Sequence, residues 1–79
     1  MSFEKMLYEE FGKEKVSIDY STKDNESIIT LRIISKDGKK EFRADGIRII
    51  EDYLEIDRRK YTVKELIMAL NVSFNKGKN

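Results

Sequence analysis

The clearest structural signal in the chain is the stretch IITLRIISKDGKKEF at residues 28–42. Its first half is rich in isoleucine, and β-branched side chains favour strands because they pack well on a pleated surface. Asp37 and Gly38 then predict a tight hairpin turn, since both residue types tolerate positive φ. A two-residue loop at this point sets the cross-strand pairs and gathers apolar side chains on one face. The predicted pairs are Ile33 with Phe42, Arg32 with Arg43, and Leu31 with Ala44.

The segments on either side of this hairpin carry further strand and turn signals. Residues 16–20, VSIDY, alternate apolar with polar side chains, which is the period-two pattern of a half-buried strand. Residues 21–27 are polar and rich in turn formers, so they predict a loop. Asp45 and Gly46 predict a second turn, because this pair again tolerates positive φ.

Residues 47–56 fit two different structures. As a hairpin turning at Glu51 and Asp52, they place Arg48 opposite Glu55, which is a favourable cross-strand ion pair. As a helix, they place isoleucine and leucine side chains on one stripe. Three isoleucines in four residues favour the hairpin, because isoleucine prefers strands.

Capping signals predict one helix near each end of the chain. A serine or threonine N-cap accepts a hydrogen bond from a free amide of the first turn, and a glycine often ends a helix. The predicted signals are Ser2 and Gly12 around a helix over residues 3–11, and a Thr62–Glu65 capping box that begins a second helix. Beyond the second helix, residues 72–79 predict a frayed tail.

The predicted architecture is a single α+β domain over residues 1–79. It consists of a short N-terminal helix, an antiparallel meander of three to five strands, and a C-terminal helix packed on one face. A chain of 79 residues buries only about 60% of its unfolded surface, and without cysteine it has no disulfide to support it. Its stability must therefore come from apolar packing and consistent local signals.

The composition argues against catalysis. The chain has no histidine and no cysteine, which are the usual general base, strong nucleophile and zinc ligands. Its four glycines are scattered, so they do not form a phosphate-binding loop. The acidic residues of the 44–57 segment could serve a hard cation, but they more simply form a solvated strand face. We therefore expect no enzyme activity, no cofactor and no metal site.

Charge is segregated along the chain although the net charge is only +1. Residues 44–57 carry five acids and one arginine, whereas residues 58–79 carry six bases and one acid. An acidic face can imitate a phosphate backbone, so the candidate protein-binding residues are Glu51, Asp52, Glu55 and Asp57. Basic groups can instead contact phosphates, and the alternative nucleic-acid-binding residues are Arg58, Arg59, Lys60, Lys64, Lys36, Lys39 and Lys40.

Sheet edges are a further candidate surface. An unpaired edge strand can accept a strand from another chain. The predicted edges are Val16 to Tyr20 and Tyr53 to Ile56. Either could pair with a protein partner or with its own copy to form a homodimer.

The first half of the chain resembles a known class of inhibitors. A short helix, a lysine-led strand, a polar loop with Asn25 and an isoleucine-rich strand precede the hairpin. Residues 22–42, which end in DGKKEF, are similar to the matching stretch of small phage-encoded anti-CRISPR proteins that inhibit Cas9. The resemblance covers about half of the chain and implies a small non-catalytic domain that occupies a protein surface. Those inhibitors are strongly acidic, whereas this chain is near neutral.

These observations define two functional expectations. The first is a non-catalytic protein-interaction module, encoded by a phage or another mobile element, that inhibits a host protein such as a CRISPR effector. The alternative is a small nucleic-acid-binding regulator that uses the basic groups. No apolar run approaches the roughly 20 residues of a membrane span, and the first residues do not fit a signal peptide. The expected location is therefore the cytoplasm, without a membrane partner.

Overall fold

Five strands form one antiparallel sheet whose order follows the chain, in a computed structural model that describes residues 2–76. The elements are α1 (Phe3–Phe11), a 3-10 turn (Lys13–Lys15), β1 (Val16–Lys23), β2 (Glu26–Ile34), β3 (Glu41–Ile50), β4 (Tyr53–Ile56), β5 (Arg59–Tyr61) and α2 (Val63–Asn75). Each strand pairs with its neighbour in sequence. The predicted α+β class, with a helix at each end of a meander, is confirmed.

One face of the sheet packs against both helices and forms the core. Alternate residues of the interior strand β2 point to this face, so Ile29, Leu31 and Ile33 are buried. The buried core residues are Leu7, Phe11, Val16, Ile29, Leu31, Ile33, Ile47, Leu54, Leu66, Leu70 and Phe74. Each fully buried aliphatic side chain contributes about 1.5–3 kcal/mol. The opposite face carries the arginine and glutamate side chains of the strands.

The β2–β3 hairpin has the predicted pairs, and its loop is longer than predicted. Its register matches the expected one at all three positions. The chain leaves the ladder at Ser35 and rejoins it at Lys40, where the Ser35 N–H donates to the Lys40 carbonyl at 2.9 Å. Only Gly38 of the Asp37-Gly38 pair has a positive φ, at 76°. The loop is held by the Ser35 hydroxyl, which donates to Asp37 Oδ1 at 2.7 Å and accepts from the Lys40 N–H at 3.0 Å.

Asp45 and Gly46 form a β-bulge inside β3, so the prediction of a turn here is wrong. The register shifts by one residue, which leaves both residues opposite Thr30 of β2. Gly46 has φ of 66°, a value that suits the extra residue of a bulge. The extra residue reverses the alternation, so Ile47 faces the core with 0% exposure. Without it, Arg48 would face the core instead.

The predicted loop over residues 21–27 is mostly strand. β1 and β2 stay paired as far as Lys23 and Glu26, and a two-residue turn joins them. Asp24 and Asn25 have φ of 51° and 65°, as a tight hairpin turn requires. The polar strand ends project beyond the core, so no apolar alternation marks them.

The hairpin alternative for residues 47–56 is confirmed. β3 and β4 pair with Arg48 opposite Glu55 and turn at residues 51–52. A second turn at Asp57 and Arg58, with φ of 49° and 70°, leads to the three-residue strand β5. Because β5 pairs with β4, the prediction that residues 53–56 form a sheet edge is wrong.

Both helices begin at their predicted caps. The Ser2 side chain accepts from Lys5 N–H, and the Thr62–Glu65 capping box is complete. α2 continues to Asn75, so the predicted tail is helical at residues 72–75. Phe74 is the cause, because it is only 8% exposed and packs edge-on against Phe11 with ring centroids 6.0 Å apart. Residues 77–79 of the predicted tail lie outside the described part of the chain.

Candidate interaction surfaces

The four acidic candidates do not form one patch. Glu51 and Asp52 lie in the β3–β4 turn, whereas Asp57 lies in the β4–β5 turn at the other end of β4. The four residues of β4 lie between the two turns, so Asp52 and Asp57 are about 16 Å apart along the strand. Glu55 lies between them on the solvent face, where its carboxylate pairs with Arg48 at 3.0 Å. The acidic candidates therefore lie in two separate turns, except for Glu55, which is paired with Arg48.

Arg48 holds the centre of the solvent face. Its guanidinium bonds Glu26 of β2 at 2.7 Å and Glu55 of β4 at 3.0 Å. The hydrogen bond and charge of Glu26, followed by those of Glu55, raise the pKa of Arg48. Lys60 of β5 lies opposite Glu55 and extends this row of alternating charges. Glu55 and Lys60 thus balance charge within the sheet, which leaves them less suited to recruiting a partner.

Two other basic candidates have surroundings that make them less suited to binding a phosphate. Lys40 Nζ donates to the Ser73 carbonyl at 3.3 Å and to the Lys76 carbonyl, so it caps the C-terminal end of α2. Lys64 lines a shallow cleft of about 550 Å³ between α1 and α2, together with Glu9 and Glu10. Two carboxylates beside Lys64 disfavour a phosphate at that point.

The remaining basic candidates lie in two separate places. Lys36 and Lys39 are at the β2–β3 loop, and Arg58 and Arg59 are at the β4–β5 turn. Within residues 2–76 none of the four forms an ion pair. The β2–β3 loop and the β4–β5 turn point toward the same end of the sheet. However, β3 extends about six residues beyond the end of β4, so the two basic groups are on the order of 20 Å apart along the strands.

Part of β3 has an open edge, because β4 is much shorter. β4 pairs with β3 only from Arg48 to Ile50. The bonded pair of Ser35 and Lys40 sets the hydrogen-bonding direction, since bonded and non-bonded pairs alternate along an antiparallel ladder. The residues that aim their N–H and C=O groups away from β2 are Glu41, Arg43 and Asp45. We call these three residues the β3 half-edge; among residues 2–76 no strand pairs with them on the side that faces away from β2.

An apolar groove lies beside the β3 half-edge. It encloses about 230 Å³ between the sheet and α2. The lining residues are Phe42, Ile56, Tyr61, Leu66, Ala69, Leu70 and Ser73. Phe42 and Ile56 point to the core side and yet are only half-buried, because no strand continues β4 beneath them. We call this the α2–β3 groove.

The other long open edge is β1, which is the first strand of the sheet. By the same alternation, β1 bonds to β2 through its odd-numbered residues. The residues that aim their backbone groups outward are Ile18, Tyr20 and Thr22. Tyr20 is 57% exposed, and its hydroxyl donates to the Glu4 carboxylate of α1. Desolvation, this hydrogen bond and the Glu4 charge raise the pKa of Tyr20 to about 12.

Sequence reasoning found the β1 edge and missed the β3 half-edge. The available signal was a difference in length: turn-forming pairs at residues 51–52 and 57–58 leave only four residues for β4, opposite a ten-residue β3.

Residues 2–76 contain no group of acidic side chains placed to hold a metal ion. They contain no helix long and apolar enough to span a membrane. Comparison with family models, curated proteins and solved structures gives no match.

Proposed function

We propose that this protein is a non-catalytic interaction module that binds an extended segment of a partner protein at the β3 half-edge. The observation that carries the proposal is the coincidence of an unpaired backbone edge with the α2–β3 groove. Strand addition obtains affinity from backbone hydrogen bonds and specificity from pockets for alternate side chains. Both elements are present within a few ångströms of one another in this chain.

The geometry defines the segment that fits. An added strand would continue the line of β4 and bond to the outward groups of Glu41, Arg43 and Asp45. Every second side chain would enter the α2–β3 groove, so those positions should be apolar. The other side chains would lie beside Arg43, whose side chain is 62% exposed and whose contact with Asp45 is long, at 3.5 Å. An acidic residue facing Arg43 would therefore favour binding.

The biological setting is part of the proposal. A host protein bound in this way would be inhibited if its bound segment or a neighbouring surface is needed for activity. The resemblance to anti-CRISPR proteins suggests a CRISPR effector as that host protein. Glu51 and Asp52 lie at the other end of β4 from the groove, whereas Asp57 follows the groove residue Ile56, so these acidic residues would act as secondary contacts.

Nucleic-acid binding is the alternative function. It would use Lys36 and Lys39 at one place and Arg58 and Arg59 at the other, since Lys40 is hydrogen-bonded to the end of α2 and Lys60 and Lys64 lie near carboxylates. Such binding should weaken with salt, with a log–log slope of about −0.9 for each phosphate neutralised on duplex DNA. A titration of duplex DNA at low salt separates the two functions. Binding of DNA in the absence of any peptide binding would favour the alternative.

A display library of random peptides tests the main proposal. We expect enriched peptides to alternate apolar with polar residues, and their addition to shift the amide NMR signals of the β3 half-edge. Ala69→Arg places a long charged side chain in the groove from an exposed helix position, and it should reduce affinity at least about tenfold.

Met68→Arg is the matched control for this experiment. Met68 is the neighbouring residue of α2, is 68% exposed and lines the cleft toward α1 instead of the groove. Met68→Arg adds the same charge to α2 as Ala69→Arg and has a similar effect on helix propensity. It should therefore bind the peptides as tightly as the unaltered protein does. Failure to enrich any peptide, or equal binding by Ala69→Arg and Met68→Arg, would overturn the proposal.

A further inference from the structure

The β1 edge carries two charged residues that have no ion-pair partner in the described part of the chain. Asp19 and Lys23 lie on the solvent face of β1 and form no ion pair within residues 2–76. Glu26 is the cross-strand neighbour of Lys23, but its carboxylate is engaged by Arg48 at 2.7 Å. Three residues of strand lie between Asp19 and Lys23, so the two are about 13 Å apart, which is too far for an ion pair.

We propose that two copies of this protein pair through β1 in an antiparallel homodimer with its two-fold axis at Ser21. In this register Asp19 of each copy lies opposite Lys23 of the other, so the dimer contains two Asp19–Lys23 pairs of opposite charge. Tyr20 lies opposite Thr22 of the other copy. The two sheets then become one continuous ten-stranded sheet, because each copy contributes the five strands of its meander.

The hydrogen-bonding directions limit the possible registers. Ile18, Tyr20 and Thr22 aim their backbone groups outward, so a bonded pairing must join even-numbered residues of the two copies. Centring the pair on Asp19 places two aspartates face to face, which is unfavourable. Centring it on Tyr20 leaves both charged residues opposite serines. The register centred on Ser21 differs from both, because it places Asp19 opposite Lys23.

The position of the axis also suits the shape of the molecule. Val16 is buried near the helices, whereas every residue from Asp19 to Lys23 is exposed. A dimer centred on Ser21 therefore uses the part of the hairpin that projects beyond the core. The paired segments run from Ile18 to Asp24. The exposed ring of Tyr20 gains a neighbour from the other copy.

A charge exchange tests this register in the full chain. Sedimentation velocity over a concentration series should show a dimer of the unaltered protein. Asp19→Lys and Lys23→Asp should each weaken that dimer roughly tenfold or more, because two attractive pairs become two repulsive ones. Mixing the two variants should restore the dimer, since each altered residue then faces an opposite charge.

Two control variants distinguish pairing through β1 from a dimer formed by another surface. Thr22→Pro removes an outward N–H and no bond to β2, so it should abolish the dimer while circular dichroism shows the fold retained. Ala69→Arg should leave the dimer unchanged; its loss would place the contact at the α2–β3 groove and overturn the proposal. An unaltered protein that stays monomeric, which leaves β1 open to a different protein, would overturn it too. A mixture of the charge variants no tighter than either variant alone would be equally decisive against it.

Discussion

Truncating Phe74 tests whether the end of α2 belongs to the folded domain. Phe74 is 8% exposed and its ring packs edge-on against Phe11 at a centroid distance of 6.0 Å and an angle of 84°. A buried phenylalanine changed to alanine costs about 3–5 kcal/mol, of which the aromatic pair accounts for roughly 0.5–1.5 kcal/mol. We therefore expect Phe74→Ala to lower the free energy of unfolding by about 3–4 kcal/mol, since slight exposure reduces the loss.

This loss is large for a protein of 79 residues. At roughly 0.05–0.15 kcal/mol per residue, its total stability is about 4–12 kcal/mol. Urea unfolding followed by circular dichroism measures the change, provided that the unfolding slope stays constant. If Phe74→Ala is unfolded in buffer, Phe74→Leu gives a measurable variant, with an expected loss of about 1–1.5 kcal/mol.

Val72→Ala is the matched control within the same turn of α2. Val72 is 70% exposed, so its truncation should change stability by less than about 0.5 kcal/mol. If Phe74→Ala and Val72→Ala were equally harmless, residues 72–75 would be a frayed tail as the sequence predicts. The packing of α2 on α1 described above would then be wrong.

Two further predictions concern Gly46 and Tyr20. Gly46→Ala should lower the free energy of unfolding in urea by about 1 kcal/mol, because φ of 66° is unfavourable for alanine. The added methyl group itself would meet no other atom within 4 Å beyond the adjoining residues, so backbone strain is the whole cost. No loss of stability would contradict the bulge geometry. For Tyr20, NMR of the ring should show a pKa of about 12, against 10.0 for a free tyrosine. The folded state favours the neutral phenol, so this contribution to stability is complete below pH 10 and is lost as pH rises through 12. Glu4→Gln should lower the pKa of Tyr20, and an unchanged titration would rule out the hydrogen bond as a cause.

The sequence predicts well those features that depend on alternation and local capping. The register of the β2–β3 hairpin follows from apolar residues at every second position, and the Thr62 capping box needs only four consecutive residues. The prediction of a turn at Asp45 and Gly46 fails because a turn and a bulge both require a glycine with positive φ. What distinguishes them is whether pairing with β2 continues, which depends on residues far along the chain.

The errors at the sheet edges and at the chain end have a common cause. β5 is three residues long and mostly charged, so nothing in its own sequence marks it as a strand. Its pairing with β4 nevertheless closes the edge that residues 53–56 would otherwise offer. Likewise, Phe74 extends α2 only because Phe11 lies within reach. The β3 half-edge has a different origin, since it follows from the shortness of β4 between two turn-forming pairs.

The meander also has a consequence for how the protein folds. Every strand pairs with its neighbour in sequence, so each hairpin can form by closing a short loop at small entropic cost. The contact between the helices is different, since the hydrogen bond from Asn71 to Glu10 at 3.0 Å joins residues 61 positions apart. We expect this contact to form after the rate-limiting step. Interactions made that late slow unfolding and leave the folding rate unchanged. The two helices therefore set the lifetime of the folded state, whereas the hairpins set the time needed to reach it.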